Sequence, residues 1–272
     1  MHQWTPVNTH GQAPTPRRAH SATLVDALVY VFGGGEGATF YNELYVLDLR
    51  NRTWYRPRVQ GTPPSPRRAH SCTRHNGYLY VFGGGSEHGT FNDLHRLDVR
   101  NPEQVSWRRL LCTGAVPTTR GYHTATLVHN KLLVLGGSNG RRALDDLYVL
   151  EIDTLMWRRP PQPHLRIRLL AHSATLVGPM LFVFGGHNDI GYTNALLRLD
   201  LCTLQWRTSV VEGKAPVGRG SHLAWLHDSR LYIHGGFQGR RALSELHVLE
   251  LASCAYLPVL APPTPVSYTH LR

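Results

Sequence analysis

The chain has 272 residues and a formal net charge of +11, from 29 Lys and Arg against 18 Asp and Glu. No apolar run reaches the roughly 18 residues of a membrane-spanning helix, so no membrane insertion is expected, and the polar start MHQWTPVNTHGQ lacks the apolar stretch of a secretory signal. The four cysteines, Cys72, Cys112, Cys202 and Cys254, show no CxxC spacing, which argues against a zinc site or a disulfide framework and predicts a cytoplasmic setting.

Residues 1–12 carry Trp4, 50 residues ahead of Trp54. The first full unit, 13–60, runs PRRAHS (16–21), VYVFGG (29–34), NELYVLD (42–48) and Trp54. The second, 61–113, repeats PRRAHS (66–71), LYVFGG (79–84), NDLHRLD (92–98) and Trp107. The third, 114–162, has LLVLGG, DDLYVLE and Trp157, and the fourth, 163–211, has LFVFGG, NALLRLD and Trp206. The fifth, 212–260, has LYIHGG and SELHVLE and ends on Tyr256. The glycine pairs, Gly33–Gly34, Gly83–Gly84, Gly136–Gly137, Gly185–Gly186 and Gly235–Gly236, step by 50, 53, 49 and 50. Residues 261–272 read as the truncated start of a further unit, with Val266–Arg272 a sequence artefact.

Each unit holds four short apolar runs, rich in β-branched and aromatic residues and bounded by Gly, Pro and Asn, so each is read as four strands. Four antiparallel strands repeated radially make the blades of a β-propeller, stabilised by packing of blade on blade. The expected fold is therefore all-β, with five complete four-stranded blades and, in residues 1–12, the orphan fourth strand of a sixth. Trp4, Trp54, Trp107, Trp157 and Trp206 are expected to fill the wedges between blades, and the glycine pairs to end the second strand where neighbours approach closely.

The paired glycines, the acidic-Leu-Tyr segment and the tryptophan, at a period near 50, resemble the kelch repeat. The resemblance covers nearly the whole chain. It implies a kelch-type β-propeller, truncated here from six blades, whose loops grip a partner. The family includes cytoskeletal scaffolds, substrate receptors of ubiquitin ligases and galactose oxidase, so the fold alone does not decide the function.

An arginine (Arg17, Arg67, Arg120, Arg219) lies 26 residues before an acid (Glu43, Asp93, Asp146, Glu245) in four units, whereas the fourth unit has Leu169 and Ala195 there. Joint loss predicts that the two ends pair, which makes these arginines structural. One histidine per unit (His20, His70, His123, His172, His222) marks a packing or hydrogen-bonding position. His75, His129 and His227 are expected in the turn after the first strand.

Antiparallel order places the loops between strands 2 and 3, and between blades, on one face. Candidates for partner binding are the residues of that face where the units disagree: Arg18, Arg68, Arg141, Arg142, Arg240, Arg241, Tyr41, Tyr192 and Phe237. Arginine with aromatic side chains is the chemistry of interface hot spots. Phe40 and Phe91 are expected to pack their own loops. Arg56, Arg58, Arg108, Arg109, Arg158, Arg159 and Arg207 follow the tryptophans and read as guards of an exposed outermost strand. Charge spread around the rim speaks against nucleic acid, which wants one basic stripe with stacking aromatics. No metal, cofactor or catalytic set is expected: the loops between strands 2 and 3 keep one length, and GGGEG is not followed by GK[ST]. The expected function is a protein-binding adaptor or scaffold that takes an acidic segment. The alternatives are a ubiquitin-ligase substrate receptor and a galactose oxidase-like enzyme.

Overall fold

A computed structural model describes residues 5–161 and 167–251. Among the described residues every regular element is a strand, and the strands form five blades of a β-propeller. In the first blade they are Ser21–Val25, Leu28–Phe32, Leu44–Asp48 and Thr53–Tyr55. The second has Ser71–His75, Tyr78–Phe82, Leu94–Asp98 and Gln104–Leu110. The third has Thr124–Val128, Lys131–Leu135, Leu147–Glu151 and Met156–Arg158. The fourth has Ser173–Val177, Met180–Phe184, Leu196–Asp200 and Trp206–Thr208. The fifth has Leu223–His227, Arg230–His234 and Leu246–Glu250. Trp4 and Tyr256, expected to anchor the strands at either end, lie outside the described residues, as do Cys254 and 261–272.

The sequence makes these strands through turns and burial. Two-residue turns join the first strand to the second, with Asp26 at φ +56 and Asn76–Gly77 at φ +46 and +76, the left-handed geometry that suits Asn and Gly. His129 sits in such a turn at φ +52, whereas His75 and His227 end their strands. Successive residues point to opposite faces of a blade, yet Tyr80, Val81 and Phe82 are all buried, because the second blade has a neighbour on each side. Tyr30, Phe32, Leu44 and Val46 of the first blade share one core with Leu79, Val81, Leu97 and Trp107 of the second. Each fully buried Phe, Leu or Val contributes about 1.5–3 kcal/mol. Trp107 lies 4.9 Å from Phe32 and Trp157 5.1 Å from Phe82, ring centre to ring centre, each bridging two blades.

The blade edges differ from the expectation. The fourth strand is not outermost in the first three blades. His10–Gly11 pairs in parallel with Thr53–Trp54, Arg58–Gln60 with Gln104–Ser106, and Thr113–Gly114 with Met156–Trp157. The segment that leads into a blade thus runs along that blade's outer edge and satisfies its backbone groups. The covered residues are Thr53–Trp54, Gln104–Ser106 and Met156–Trp157, so Arg56, Arg108, Arg109, Arg158 and Arg159 lie just beyond them, and Arg58 itself belongs to a covering strand. The described part of 1–12 joins the sheet of the first blade, and Arg58–Gln60, read as the end of the first unit, joins that of the second.

Around the axis, Ala19, Ala69, Tyr122, Ala171 and Ser221 are all left-handed, at φ +54 to +57. From Ala69 onward each donates its N–H to the carbonyl of its counterpart one blade back, at 2.8–2.9 Å. This chain of bonds holds the inner ends of the blades in register directly beneath the loop face.

Candidate functional site

The loop face rests on a buried polar frame. The Arg67 guanidinium, fully buried, donates to both Asp93 oxygens at 2.7 and 3.0 Å, to Gly83 O at 2.9 Å and to Ser65 O at 2.9 Å. Arg120 repeats this with Asp146 at 2.5 and 3.2 Å and with Gly136 O and Thr118 O. Arg17 meets Glu43 at 3.1 Å through one bond. Arg219 reaches Gly235 O at 2.9 Å but lies 3.6 Å from Glu245, which is 48% exposed, and its Nη2 is buried without a partner. Every sequence separation of 26 is thus an ion pair, graded in quality. Burial pushes the Asp93 carboxyl up, but hydrogen bonds from His95 and Arg67 outweigh it and hold the group well below the usual carboxylate range.

The histidines bridge blades. His70 Nε2 is 2.9 Å from Ser21 Oγ, His123 2.9 Å from Ser71, His172 3.0 Å from Thr124 and His222 2.8 Å from Ser173. Burial lowers their pKa, to about 3 for His70 and His172 and about 4 for His222, so they are neutral. The glycine pair makes room for them: a Cβ on Gly33 (φ +67) would stand 2.9 Å from His70 Cε1 and 2.8 Å from Arg67 O.

On this frame the predicted binding residues part company. Tyr41 is half-buried under Arg17, whose Cζ lies 4.4 Å from the ring centre, so it serves the frame. Arg68 Cζ lies 4.9 Å over the ring of Phe40, and Arg67 Cζ 4.4 Å over that of Phe91. Arg18 joins Gly35 by a backbone bridge and leaves its side chain exposed. The N–H groups of Arg141 and Arg142 both donate to Asn139 Oδ1, at 3.0 and 3.1 Å, which turns the loop and presents two exposed guanidinium groups. Arg240 and Arg241 are exposed in the equivalent loop of the fifth blade. None of these four arginines has an ion-pair partner among the described residues. Tyr192 lies 4.8 Å from His187 and 6.1 Å from Phe237, which makes one aromatic cluster across the fourth and fifth blades.

Sequence reading missed three parts of this face. His187 occupies a position that is Gly, Gly, Ser and Phe in the other units, and Ile190 is 96% exposed at a loop tip. Asp189 is spoken for: it accepts from Ala143 N at 3.1 Å and pairs with Arg168 at 3.0 Å, which ties the loops of the third and fourth blades together. Between the second and third blades lies a hollow of about 130 Å³ lined by Arg68, Tyr122 and Ser138, where Gly121 replaces a second arginine. Among the described residues no three His, Cys, Asp or Glu side chains converge as metal ligands.

Comparison with known proteins agrees with this architecture. A family model described as the KLHDC2/KLHL20/DRC7 Kelch-repeats domain matches residues 1–166 and 123–268. The chain is 30% identical over 176 residues to acyl-CoA-binding domain-containing protein 5 of Arabidopsis thaliana, a match covering 59% of the chain and 27% of that protein. It is 28% identical over 165 residues to Kelch domain-containing protein 10 of Xenopus laevis, covering 58% of the chain and 40% of the relative. It is also 28% identical over 280 residues to the dynein alpha chain of the flagellar outer arm of Chlamydomonas reinhardtii, covering 96% of the chain and 5% of that protein. The chain thus spans less than half the length of each of these relatives. With its repeats in register, its blades built and its family model matched over most of its length, the chain belongs to the kelch-repeat family.

Proposed function

We propose that this chain is a protein-interaction module that takes an acidic segment of its partner on the loop face, between the arginine pairs Arg141–Arg142 and Arg240–Arg241 and over the cluster of Tyr192 and Phe237. Kelch propellers serve mostly as protein-binding folds, which supports the general class. One observation carries the specific reading. The repeated arginines are consumed in buried pairs, while these four cations are exposed and, among the described residues, without an ion-pair partner, beside an aromatic cluster that is itself partly exposed. Guanidinium groups of this kind bind carboxylates through paired hydrogen bonds, and aromatic side chains supply apolar contact at low entropic cost. Arg18 and Arg68 flank the same face and extend its positive character. The proposal places the module in the cytoplasm, supported by the unpaired Cys72, Cys112 and Cys202. No described helix is long and apolar enough to cross a membrane.

The test is partner capture by full-length protein, read by mass spectrometry. Reversal of Arg141, Arg142, Arg240 and Arg241 to Glu is expected to weaken capture by roughly tenfold or more, since like-charge contacts cost on the order of several kcal/mol, and to leave the melting temperature unchanged. Arg158→Glu, on the rim, serves as the control. Survival of binding in the first variant with its loss in the second removes the loop face from consideration.

A further inference from the structure

Each blade junction on the loop face brings together two residues. One comes from the loop between strands 2 and 3, the other from the segment entering the next blade. Between the first and second blades these are Phe40 and Arg68, the guanidinium lying 4.9 Å over the ring. In the register of the repeat the same places hold Thr90 and Gly121 between the second and third blades. They hold Ala143 and Leu170 at the next junction, and Tyr192 and Gly220 at the one after. The Tyr192 ring closes that last junction, since a Cβ on Gly220 would stand 3.1 Å from its Cε1. Leu170 supplies the long side chain between the third and fourth blades, where Ala143 is 2% exposed. Of the four described junctions, the one between the second and third blades has neither a long side chain nor a ring at these places.

The hollow of about 130 Å³ lies at that junction, with Thr90, Gly121 and Tyr122 among its walls. The fold does not require a glycine at 121. Its backbone lies outside the left-handed region, and a Cβ would meet Ala69 and Gly84 at 3.5–3.6 Å, ordinary contact. Tyr122 beside it also breaks the repeat. Ala19, Ala69, Ala171 and Ser221 hold the equivalent left-handed position, whereas Tyr122 carries a ring there at φ +57 and is 38% exposed. A bulky residue in that conformation is uncommon and strained. The hollow offers no free charge. Arg68 alone among its lining residues is charged, and its guanidinium lies over Phe40 in the loop of the first blade. The hydroxyls have partners in the walls: Thr90 Oγ1 donates to Thr119 Oγ1 at 2.8 Å. Ser86 Oγ accepts from His88 N at 3.2 Å and Ser138 Oγ from Gly140 N at 3.1 Å.

We propose that this hollow seats one apolar side chain of a partner segment, of leucine or phenylalanine size, in the place that Arg68, Leu170 and Tyr192 fill at the other junctions. A cavity of about 150 Å³ holds a benzene ring, so the volume suits one such side chain. A charged side chain would lose its water there and find no counter-charge, which selects against it. An apolar anchor in a pocket is the usual centre of a peptide-binding surface. The proposal rests on the reading of the loop face as a partner site, and adds an apolar anchor to the acidic residues that the exposed arginines select.

The experiment is selection of a phage-displayed library of random peptides on the full chain, followed by titration of the selected peptides by fluorescence anisotropy. The variants are Gly121→Leu, which copies Leu170, Gly121→Arg, which copies Arg68, and Gly121→Ala as control. All three are expected to melt as wild type, because the site has room for a Cβ. The selected peptides are expected to share one residue of leucine or phenylalanine size. Its replacement by Ala is expected to weaken binding to wild type about tenfold or more, the factor for one buried side chain of that size. Gly121→Leu and Gly121→Arg are expected to lose as much, the second in spite of its added positive charge, and Gly121→Ala to bind as wild type. In Gly121→Leu the Ala replacement in the peptide is expected to cost nothing further, a result that a merely less stable protein does not give. Equal binding by wild type and Gly121→Leu overturns the proposal, and so does a shared residue that is charged. If such peptides are still lost when Arg141, Arg142, Arg240 and Arg241 are reversed to Glu, the acidic reading stands without the hollow. Peptides lost by Gly121→Leu but kept by the reversed-arginine variant support the hollow and overturn the acidic reading. A library that yields no bound peptide overturns both.

Discussion

The fourth blade is a natural experiment on the buried ion pairs, and it sets the expected cost of breaking one. Where the other blades carry arginine and acid, it carries Leu169 and Ala195, and Leu169 is packed against Leu181, Val183 and Leu197. Take Arg120→Leu in the third blade. The substitution removes both guanidinium bonds to Asp146, leaves Gly136 O and Thr118 O without their donor, and strands a carboxylate whose side chain is 10% exposed. Removing one partner of a buried pair costs about 3–5 kcal/mol. The double variant Arg120→Leu/Asp146→Ala copies the fourth blade and removes the stranded charge, so it is expected to recover much of that loss, with a coupling of roughly 1–3 kcal/mol. Arg219→Leu is expected to cost less than Arg120→Leu, because its acid is 3.6 Å away and half exposed. Urea unfolding followed by tryptophan fluorescence measures all of these as midpoint shifts at constant m-value. A double variant no more stable than Arg120→Leu, or an Arg219→Leu loss equal to that of Arg120→Leu, refutes the reasoning that pairing geometry sets the stability.

Acid should weaken the blade junctions. The folded-state pKa of His70 lies at about 3, below its ordinary 6.5, so the unfolded chain binds protons that the folded chain does not. The contribution is fully present above pH 6.5 and is lost as pH falls from there towards about 3, at up to about 1.4 kcal/mol per pH unit for one such histidine. His70→Gln keeps a donor for Ser21 and should flatten the slope of urea stability between pH 6.5 and 4.5; an unchanged slope refutes the assignment. The glycine pairs should differ by neighbour. Gly33→Ala drives a Cβ to 2.8–2.9 Å of Arg67 O and His70 Cε1 and is expected to lower the melting temperature sharply, whereas Gly235→Ala meets, among the described residues, only Leu243 O at 3.3 Å and should lower it less. Both positions carry the same left-handed backbone penalty, at φ +67 and +66, so the difference isolates the packing, and equal losses would show that backbone strain dominates.

The blades were legible because their signals are local and recur. A Gly-Gly that must sit at positive φ, a tryptophan at a fixed distance and a two-residue turn each constrain the chain within a few residues, and repetition fixes the register of everything between. The covering strands were not legible. His10–Gly11, Arg58–Gln60 and Thr113–Gly114 are two or three residues long and show no apolar alternation. They are strands only because a neighbouring edge offers them donors and acceptors. The candidate site divides the same way. Arginine and acid at a fixed spacing announced their pairing, since both ends vanish together in the fourth blade. Tyr41 and Tyr192 look alike in sequence, and only the guanidinium of Arg17 over the first and the ring of Phe237 beside the second separate frame from surface.

Leu169 and Ala195 also bear on why arginines persist in the other four blades. The fourth blade forms the same four strands without the pair, so the pair is not what makes a blade fold. What the arginine does, and leucine does not, is bind carbonyls on two segments at once. Arg67 holds Ser65 O in the loop between blades and Gly83 O at the end of the second strand, and Arg120 holds Thr118 O and Gly136 O in the same manner. Each buried guanidinium therefore pins an interblade loop to the strand end beside it. The exposed Arg68 follows Arg67 directly in sequence, and Arg18 follows Arg17, so pinning the first residue of each pair fixes the origin of the second. The +11 charge divides along this line. One set of arginines is buried and paired with acids to hold the loops, and another set, carried on the loops that result, stays exposed.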